Sequence, residues 1–226
     1  MMLIILLWIL LISLFTIFGA YYARKFNRPD ALIGLYVSFV LISNILAVKI
    51  ALFDFGIISF TATAATLIFS VTFLITDIVN EKFGRKETQK MILIAFISQI
   101  AATFFIWMAI SLPSASFWSG QEVFTQMFGL VPRIIFASWI AFLISENADA
   151  YIFSWFKRKT NGRHLWMRNA FSSIPSMALD TGIFVAIAFY GAQPLLPLIL
   201  GIIAIKWLVA IVDIPFMYLS REIMNR

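Results

Sequence analysis

Long apolar runs fill almost the whole of this 226-residue chain, and ionisable side chains lie inside several of them. A run of about 20 apolar residues is long enough to cross a membrane as a helix. Hydrophobic residues make up 62% of the chain and charged residues only 12%, against roughly 45–50% and 25% in average soluble domains. The sequence therefore predicts an all-α, polytopic membrane protein with little chain left for a soluble domain.

Seven of these runs are predicted to span the membrane, as one N-terminal helix followed by a six-helix core. The chain divides accordingly into residues 1–30, the extra helix with a basic loop, and residues 31–226, the core. Asp54, Phe55 and Gly56 form a short turn between the second and third spans, which should be antiparallel neighbours. The predicted spans cover residues 2–22, 31–53, 57–79, 91–112, 130–155, 169–191 and 195–219.

Basic residues lie almost entirely on one side of this arrangement. All but three of the 17 lysines and arginines fall after the first, third and fifth spans or in the C-terminal tail. Cytoplasmic segments of membrane proteins carry such an excess. The pattern predicts an outside N-terminus and a cytoplasmic C-terminus in a bacterial inner membrane. It also accounts for the net charge of +6 without a nucleic-acid partner.

Polar side chains inside the third and sixth spans are the first candidate functional residues. A charge within the hydrocarbon layer costs roughly 2.5 kcal/mol or more and usually marks a ligand site, an ion path or an internal pair. Asp77 and Glu81 share one face of the third span with hydroxyl residues. Asn169, Ser173 and Asp180 share a face of the sixth. The structural alternative is helix packing through hydroxyls, with Asp180 protonated and bonded to a neighbour.

The fifth and seventh spans carry further charged residues. Glu146 and Asp149 lie within one turn of the fifth span, so one of them is expected to stay protonated. Lys206 and Asp213 share a face of the seventh span but are too far apart to pair well. Lys206 is therefore predicted to meet a carboxylate of another helix, either Asp149 or Asp180. A pair that only holds helices together is the alternative.

The composition gives little support for a metal site or for disulfide bonds. There is no cysteine, and the only histidine is His164, in a basic loop. Structural and catalytic zinc sites draw on cysteine and histidine ligands. No metal site and no cofactor are therefore predicted.

Four blocks of sequence resemble the queuosine precursor transporter family, also called the vitamin uptake transporter family. The most distinctive is D-x-x-N-E-K-F-G at residues 77–84; the others are residues 43–49, 133–138 and 168–181. The resemblance covers about residues 31–219, and it implies a non-enzymatic importer of 7-deazaguanine bases such as preQ0 and preQ1, which are precursors of a modified tRNA base. Residues that match the family motifs, together with others on the polar faces, form the predicted substrate-binding set: Asp77, Asn80, Glu81, Glu146, Asp149, Asn169, Ser173, Asp180, Lys206, Asn44 and Arg133.

Two positions depart from the family pattern. Glu146 stands where the usual S-Q-x-x-D pattern has a glutamine, and the stretch from Ser173 to Met177 lacks a glutamine expected nearer Asp180. Either change could alter the substrate or the coupling. Arg133 lies near the outer end of its span, where its side chain can also serve as an anchor that reaches water.

The chemistry of a guanine-like base fits these residue types. Such a base presents an N–H and an NH2 donor side by side, which one carboxylate can accept as a pair of strong hydrogen bonds. An amide can read the adjacent carbonyl. The flat ring can stack on aromatic side chains, worth about 1–3 kcal/mol per base. The cationic aminomethyl group of preQ1 would favour a second acid.

Three other functions stay open from the sequence. The chain could be the substrate-binding membrane subunit of an ATP-driven vitamin importer. It could be a seven-helix retinal-type receptor that uses Lys206, although Ile202 stands where microbial members carry an acid. It could be an intramembrane enzyme with Asp149 and Asp180 as an aspartyl pair. The preferred reading is a small-molecule importer in the lipid bilayer, working alone or as a homodimer.

Overall fold

The computed structural model describes residues 2–159 and 165–225, without most of the side chains between 146 and 173. Seven long helices and one short helix make up most of this part of the chain, which confirms the predicted helical membrane bundle. The helices are α1 (Met2–Phe26), α2 (Asp30–Leu46), α3 (Thr66–Phe83), α4 (Arg85–Ser111), α5 (Gln121–Phe128), α6 (Val131–Lys159), α7 (Leu165–Phe189) and α8 (Leu195–Asn225).

Not every helix is long enough by itself to cross a membrane. At 1.5 Å per residue, the 17 residues of α2 extend only about 25 Å. Within the described residues, four helical segments are long and apolar enough to span: Leu3–Phe26, Arg85–Ser111, Gln121–Ser145 and Leu195–Met224.

A β-hairpin separates α2 from α3, so the prediction of helix throughout 31–53 and 57–79 is wrong between these two helices. Strands β1 (Ile50–Asp54) and β2 (Ser59–Thr63) pair in antiparallel register. Gly56 adopts a positive φ of 87° in the turn, where its N–H donates to Asp54 Oδ1 at 2.9 Å. Short apolar runs do not distinguish strand from helix by periodicity. The two helices are nevertheless packed neighbours, as predicted.

The hairpin lies directly against α8. Helix α8 contacts α1, α3, α7 and β2. At Gly201 the helix backbone comes so close to the Thr61 carbonyl that a Cβ atom would overlap with it. Glycine is therefore needed here for the close approach of two backbones.

The outward faces of the bundle are apolar. Exposed side chains include Leu3, Leu10 and Leu14 on α1, and Phe104 and Trp107 on α4. A soluble protein would bury such a surface, whereas a membrane protein exposes it to lipid. The chain is therefore a multi-pass membrane protein whose interior must hold the polar groups.

Candidate functional site

A buried ion pair joins α7 to α8 in the middle of the described bundle. Lys206 Nζ lies 2.6 Å from Asp180 Oδ2, and the two side chains are only 5% and 7% exposed. Ser145 Oγ on α6 donates a longer hydrogen bond of 3.5 Å to Asp180 Oδ1. The prediction that Lys206 meets a carboxylate of another helix is confirmed, and the partner is Asp180.

The pair lines a small cavity, here called the inner cavity. Its volume is about 30 Å³, which is space for one or two water molecules. Among the described residues, the Oγ atom of Ser43 is buried in its lining without a hydrogen-bond partner. The lining comes from α2, the end of the hairpin and helices α3, α6, α7 and α8: Ser43, Asn44, Ala47, Thr63, Ala65, Thr66, Phe69, Ser138, Asp180, Phe184, Ile202 and Lys206.

A hydrogen bond between two amides fixes one wall of the inner cavity. Asn44 Nδ2 donates to Gln99 Oε1 at 2.7 Å, and both side chains are buried. Gln99 in turn donates from Nε2 to the Ala95 carbonyl at 3.3 Å. The bond orients the Asn44 side chain and links α2 to α4.

A second and larger cavity, the aromatic chamber, adjoins the first. Its volume is about 310 Å³, at the lower end of the range for small-molecule sites. In the described part of the chain, Trp139 Nε1 is a buried donor in its wall without a partner. The lining is Tyr36, Val40, Phe69, Thr72, Phe73, Thr76, Gln89, Ile92, Leu93, Ala95, Phe96, Gln99, Ser138, Trp139, Phe142 and Leu143.

Phe69 and Ser138 belong to both cavities and form the wall between them. The Phe69 ring also faces Lys206, whose Nζ lies 5.4 Å from the ring centroid. A cation at this distance from an aromatic face is attracted to it. A change of the Phe69 rotamer would join a chamber lined by aromatic rings to a charged pair that offers both acceptor and donor atoms.

The residues of the D-x-x-N-E-K-F-G motif lie at the C-terminal end of α3, outside the lining of both cavities. Asn80 is exposed and Asp77 is half-buried. Glu81 is 3.7 Å from Arg221 of α8, with both side chains about half exposed. Lys82 Nζ donates to the Met224 carbonyl at 2.9 Å. These contacts join the ends of α3 and α8.

Arg133 also lies outside the two cavities. Its guanidinium is exposed and donates to the Ile187 carbonyl at 2.8 Å from Nε and to the Tyr190 carbonyl at 2.9 Å. These are carbonyl groups at the C-terminal end of α7, where a cation is favourable. The contact matches the anchor role that the sequence also allowed.

Four predicted site residues have side chains outside the described part of the structure. Glu146 and Asp149 belong to α6, and Asn169 and Ser173 belong to α7. Their place relative to the Asp180–Lys206 pair stays a prediction.

Sequence reasoning passed over three residues that the cavities depend on. Gln99 bonds to Asn44, Phe69 separates the cavities, and Trp139 places a buried N–H donor in the chamber wall. Gln99 carried a signal, because it is the one amide in the apolar run 91–112. The two aromatic residues carried none, since aromatic residues are equally common on lipid-facing surfaces of this chain.

Sequence comparisons with known proteins match the part of the chain that contains the buried pair. A family model described as "Putative vitamin uptake transporter" matches residues 63–220, which include both members of the buried pair. A Bacillus subtilis protein named "Probable queuosine precursor transporter" is 31% identical over 166 residues, 72% of this chain and 72% of that protein. A Haemophilus influenzae protein of the same name is 30% identical over 132 residues, 58% of this chain and 54% of that protein. No solved structure gives a significant match.

Proposed function

Because this chain belongs to the vitamin uptake transporter family, we propose that it imports queuosine precursors, namely 7-deazaguanine bases such as preQ0 and preQ1. Both curated relatives carry the name of a queuosine precursor transporter. Family membership supports transport over the receptor and enzyme alternatives. The substrate and its binding residues belong to the proposal.

The observation that carries the proposal is the buried Asp180–Lys206 pair. Among the described residues, Asp180 Oδ1 accepts one long hydrogen bond, from Ser145, which leaves it acceptor capacity for a ligand. It can accept the N–H and NH2 groups of a guanine-like edge. Lys206 donates one of its three N–H groups to Asp180 and can donate another to the adjacent carbonyl of the base. The Asp180–Lys206 pair can then bind both the donor groups and the carbonyl group of the base.

The aromatic chamber is the proposed place for the ring of the base. A volume of about 310 Å³ suits a flat bicyclic molecule, whereas the inner cavity of about 30 Å³ does not. Phe69, Phe96 and Trp139 offer aromatic faces, and base stacking on such faces contributes about 1–3 kcal/mol. In the proposed bound state Phe69 turns aside, so that the polar edge of the base reaches Asp180 and Lys206.

The first experiment asks whether this chain transports the base. Cells that can neither make nor import 7-deazaguanine bases should gain uptake of labelled preQ0, preQ1 or queuine when they express it. Phe69→Leu removes the ring but keeps a large apolar side chain, so it should weaken uptake more than Phe73→Leu, one turn further along the chamber wall. Failure to take up any of the three bases, with the protein present in the membrane, would contradict the proposal.

The proposed direction of transport depends on the orientation of the chain. The one-sided distribution of basic residues supports an outside N-terminus and a cytoplasmic C-terminus. A reporter that is active only in the cytoplasm should therefore be active when fused after Arg226, and a tag placed before Met1 should be accessible from outside. If both termini face the cytoplasm, the seven-span count is wrong.

A further inference from the structure

A second buried carboxylate lies on α8, away from the substrate cavities. Asp213 is 9% exposed, and its Oδ1 atom has no hydrogen-bond partner in the described part of the bundle. A buried ionised carboxylate without full pairing is costly, and acids inside membrane helices commonly belong to proton or ion pathways. The transport site described above does not use this residue.

Asp213 faces another acid across the packed surface between α3 and α8. The contact of Phe69 with Lys206 and the pair of Glu81 with Arg221 show that α3 and α8 run side by side in the same direction. Asp77, between Phe69 and Glu81, therefore lies at about the level of Asp213. The two helices pack together. The Glu81–Arg221 and Lys82–Met224 contacts join them near their C-terminal ends. The fold therefore places the two carboxyl groups on facing helices at about the same level.

We propose that Asp213, together with Asp77, binds a proton and couples its movement to the import of the base. Two carboxyl groups held close together cannot both ionise easily, so they retain one proton between them. A metal cation such as Ca²⁺ takes six or more oxygen ligands. No cluster of three or more metal-ligating side chains occurs among the described residues, so the donor set suits a proton better.

The charged groups around Asp213 come from each helix packed against α8. Helix α3 presents Asp77, Glu81 and Lys82. Helix α1 carries no acid, and its two basic residues, Arg24 and Lys25, are exposed at its C-terminal end. Strand β2 has no ionisable side chain.

The remaining charges lie on α7 and on α8 itself. Helix α7 contributes Asp180, which Lys206 already neutralises, and Arg168, whose side chain lies outside the described residues. Along α8, Arg221 and Glu222 are both exposed. Glu81 pairs with Arg221 and Lys82 donates to the Met224 carbonyl, both nearer the C-terminal ends of the two helices.

The proposed proton site and the proposed substrate site share the same two helices. Lys206 and Asp213 lie two turns apart on α8, a rise of about 10 Å. Phe69 and Asp77 lie about two turns apart on α3. A base that moves Phe69 and engages Lys206 therefore acts on the helices that hold the two carboxyls. In the transport step one proton enters with the base from outside, and both leave to the cytoplasm.

The proton itself can be observed without any substrate. An infrared spectrum of the purified wild-type protein at neutral pH should contain the C=O band of a protonated carboxyl that Asp213→Asn removes. Glu222→Gln, an exposed acid on the same helix, should leave that band unchanged. If Asp213→Asn does not yield folded protein, Asp77→Asn serves instead and should shift or remove the same band. An identical band in wild type and in whichever variant folds would overturn the proposal.

Coupling is then tested in proteoliposomes, and this step rests on the proposed function. With the membrane potential clamped, an acid-outside gradient of one pH unit should drive up to about tenfold accumulation of preQ0 if one proton accompanies each base. Asp213→Asn should still exchange labelled for unlabelled preQ0 but should not accumulate it. Exchange without any effect of the gradient on the wild type overturns the coupling alone. Absence of wild-type exchange counts against preQ0 as the substrate, and the infrared result then decides the proton site by itself.

Discussion

Two ion pairs of the same chemical type lie in opposite surroundings in this protein. The Asp180–Lys206 pair is closed off from solvent and its atoms are 2.6 Å apart. The Glu81–Arg221 pair is about half exposed, with a separation of 3.7 Å. Each joins α8 to another helix, so the difference between them is the environment.

The comparison predicts opposite energetic behaviour for the two pairs. An exposed pair typically contributes about 0–1 kcal/mol, because water screens it and side-chain entropy opposes it. Removing one partner of a buried pair costs about 3–5 kcal/mol, because an uncompensated charge is left behind. The buried pair should therefore tolerate loss of both charges better than loss of one.

The largest expected effect is that of Lys206→Met with Asp180 intact. This variant should lose about 3–5 kcal/mol of stability, measured by thermal or denaturant unfolding in detergent. Asp180→Asn alone should also destabilise, because it leaves Lys206 charged and buried. The double variant Asp180→Asn/Lys206→Met should recover most of the loss. A double variant as unstable as the sum of the single variants would show that the charges are not coupled.

A smaller effect is expected where the hairpin contacts the helix that carries Lys206. Gly201→Ala places a methyl group against the Thr61 carbonyl and should cost about 1–3 kcal/mol, as overpacking usually does. Gly182→Ala is the matched control, since it lies in α7 with nothing near its Cβ position and should gain up to about 1 kcal/mol of helix propensity. Equal stability of the two variants would mean that the hairpin does not pack tightly on α8.

The sequence predicted the parts of this structure that depend on composition and helical spacing. The bundle followed from the apolar runs, and the pairing of Lys206 with a carboxylate of another helix followed from the cost of a lone charge in the membrane. The choice of Asp180 over Asp149 came only with the structure. The β-hairpin was missed because residues 50–63 are apolar enough to continue either neighbouring helix. The aromatic chamber was missed because it depends on which faces of α2, α3, α4 and α6 meet, and no single segment carries that information.

The smallest stability effect is expected for the exposed pair. Glu81→Gln should change stability by less than about 1 kcal/mol, and a double-mutant cycle with Arg221→Gln should give a coupling of about 0.2–1 kcal/mol. If the pair opens and closes an inner gate between α3 and α8, Glu81→Gln should also slow translocation while binding of the base stays within a few-fold. Loss of binding would move Glu81 into the substrate site, and no change in either would leave it an anchor.

The most direct test of the central claim is equilibrium binding of labelled preQ0 to purified protein. The wild type should bind it, and Asp180→Asn/Lys206→Met should bind at least tenfold more weakly, because charge-assisted hydrogen bonds worth about 1.5–3 kcal/mol are lost. The double variant is compared only where its unfolding curve shows folded protein, with Glu222→Gln as the control. Binding by the double variant within twofold of the wild type would contradict a substrate site built on the buried pair.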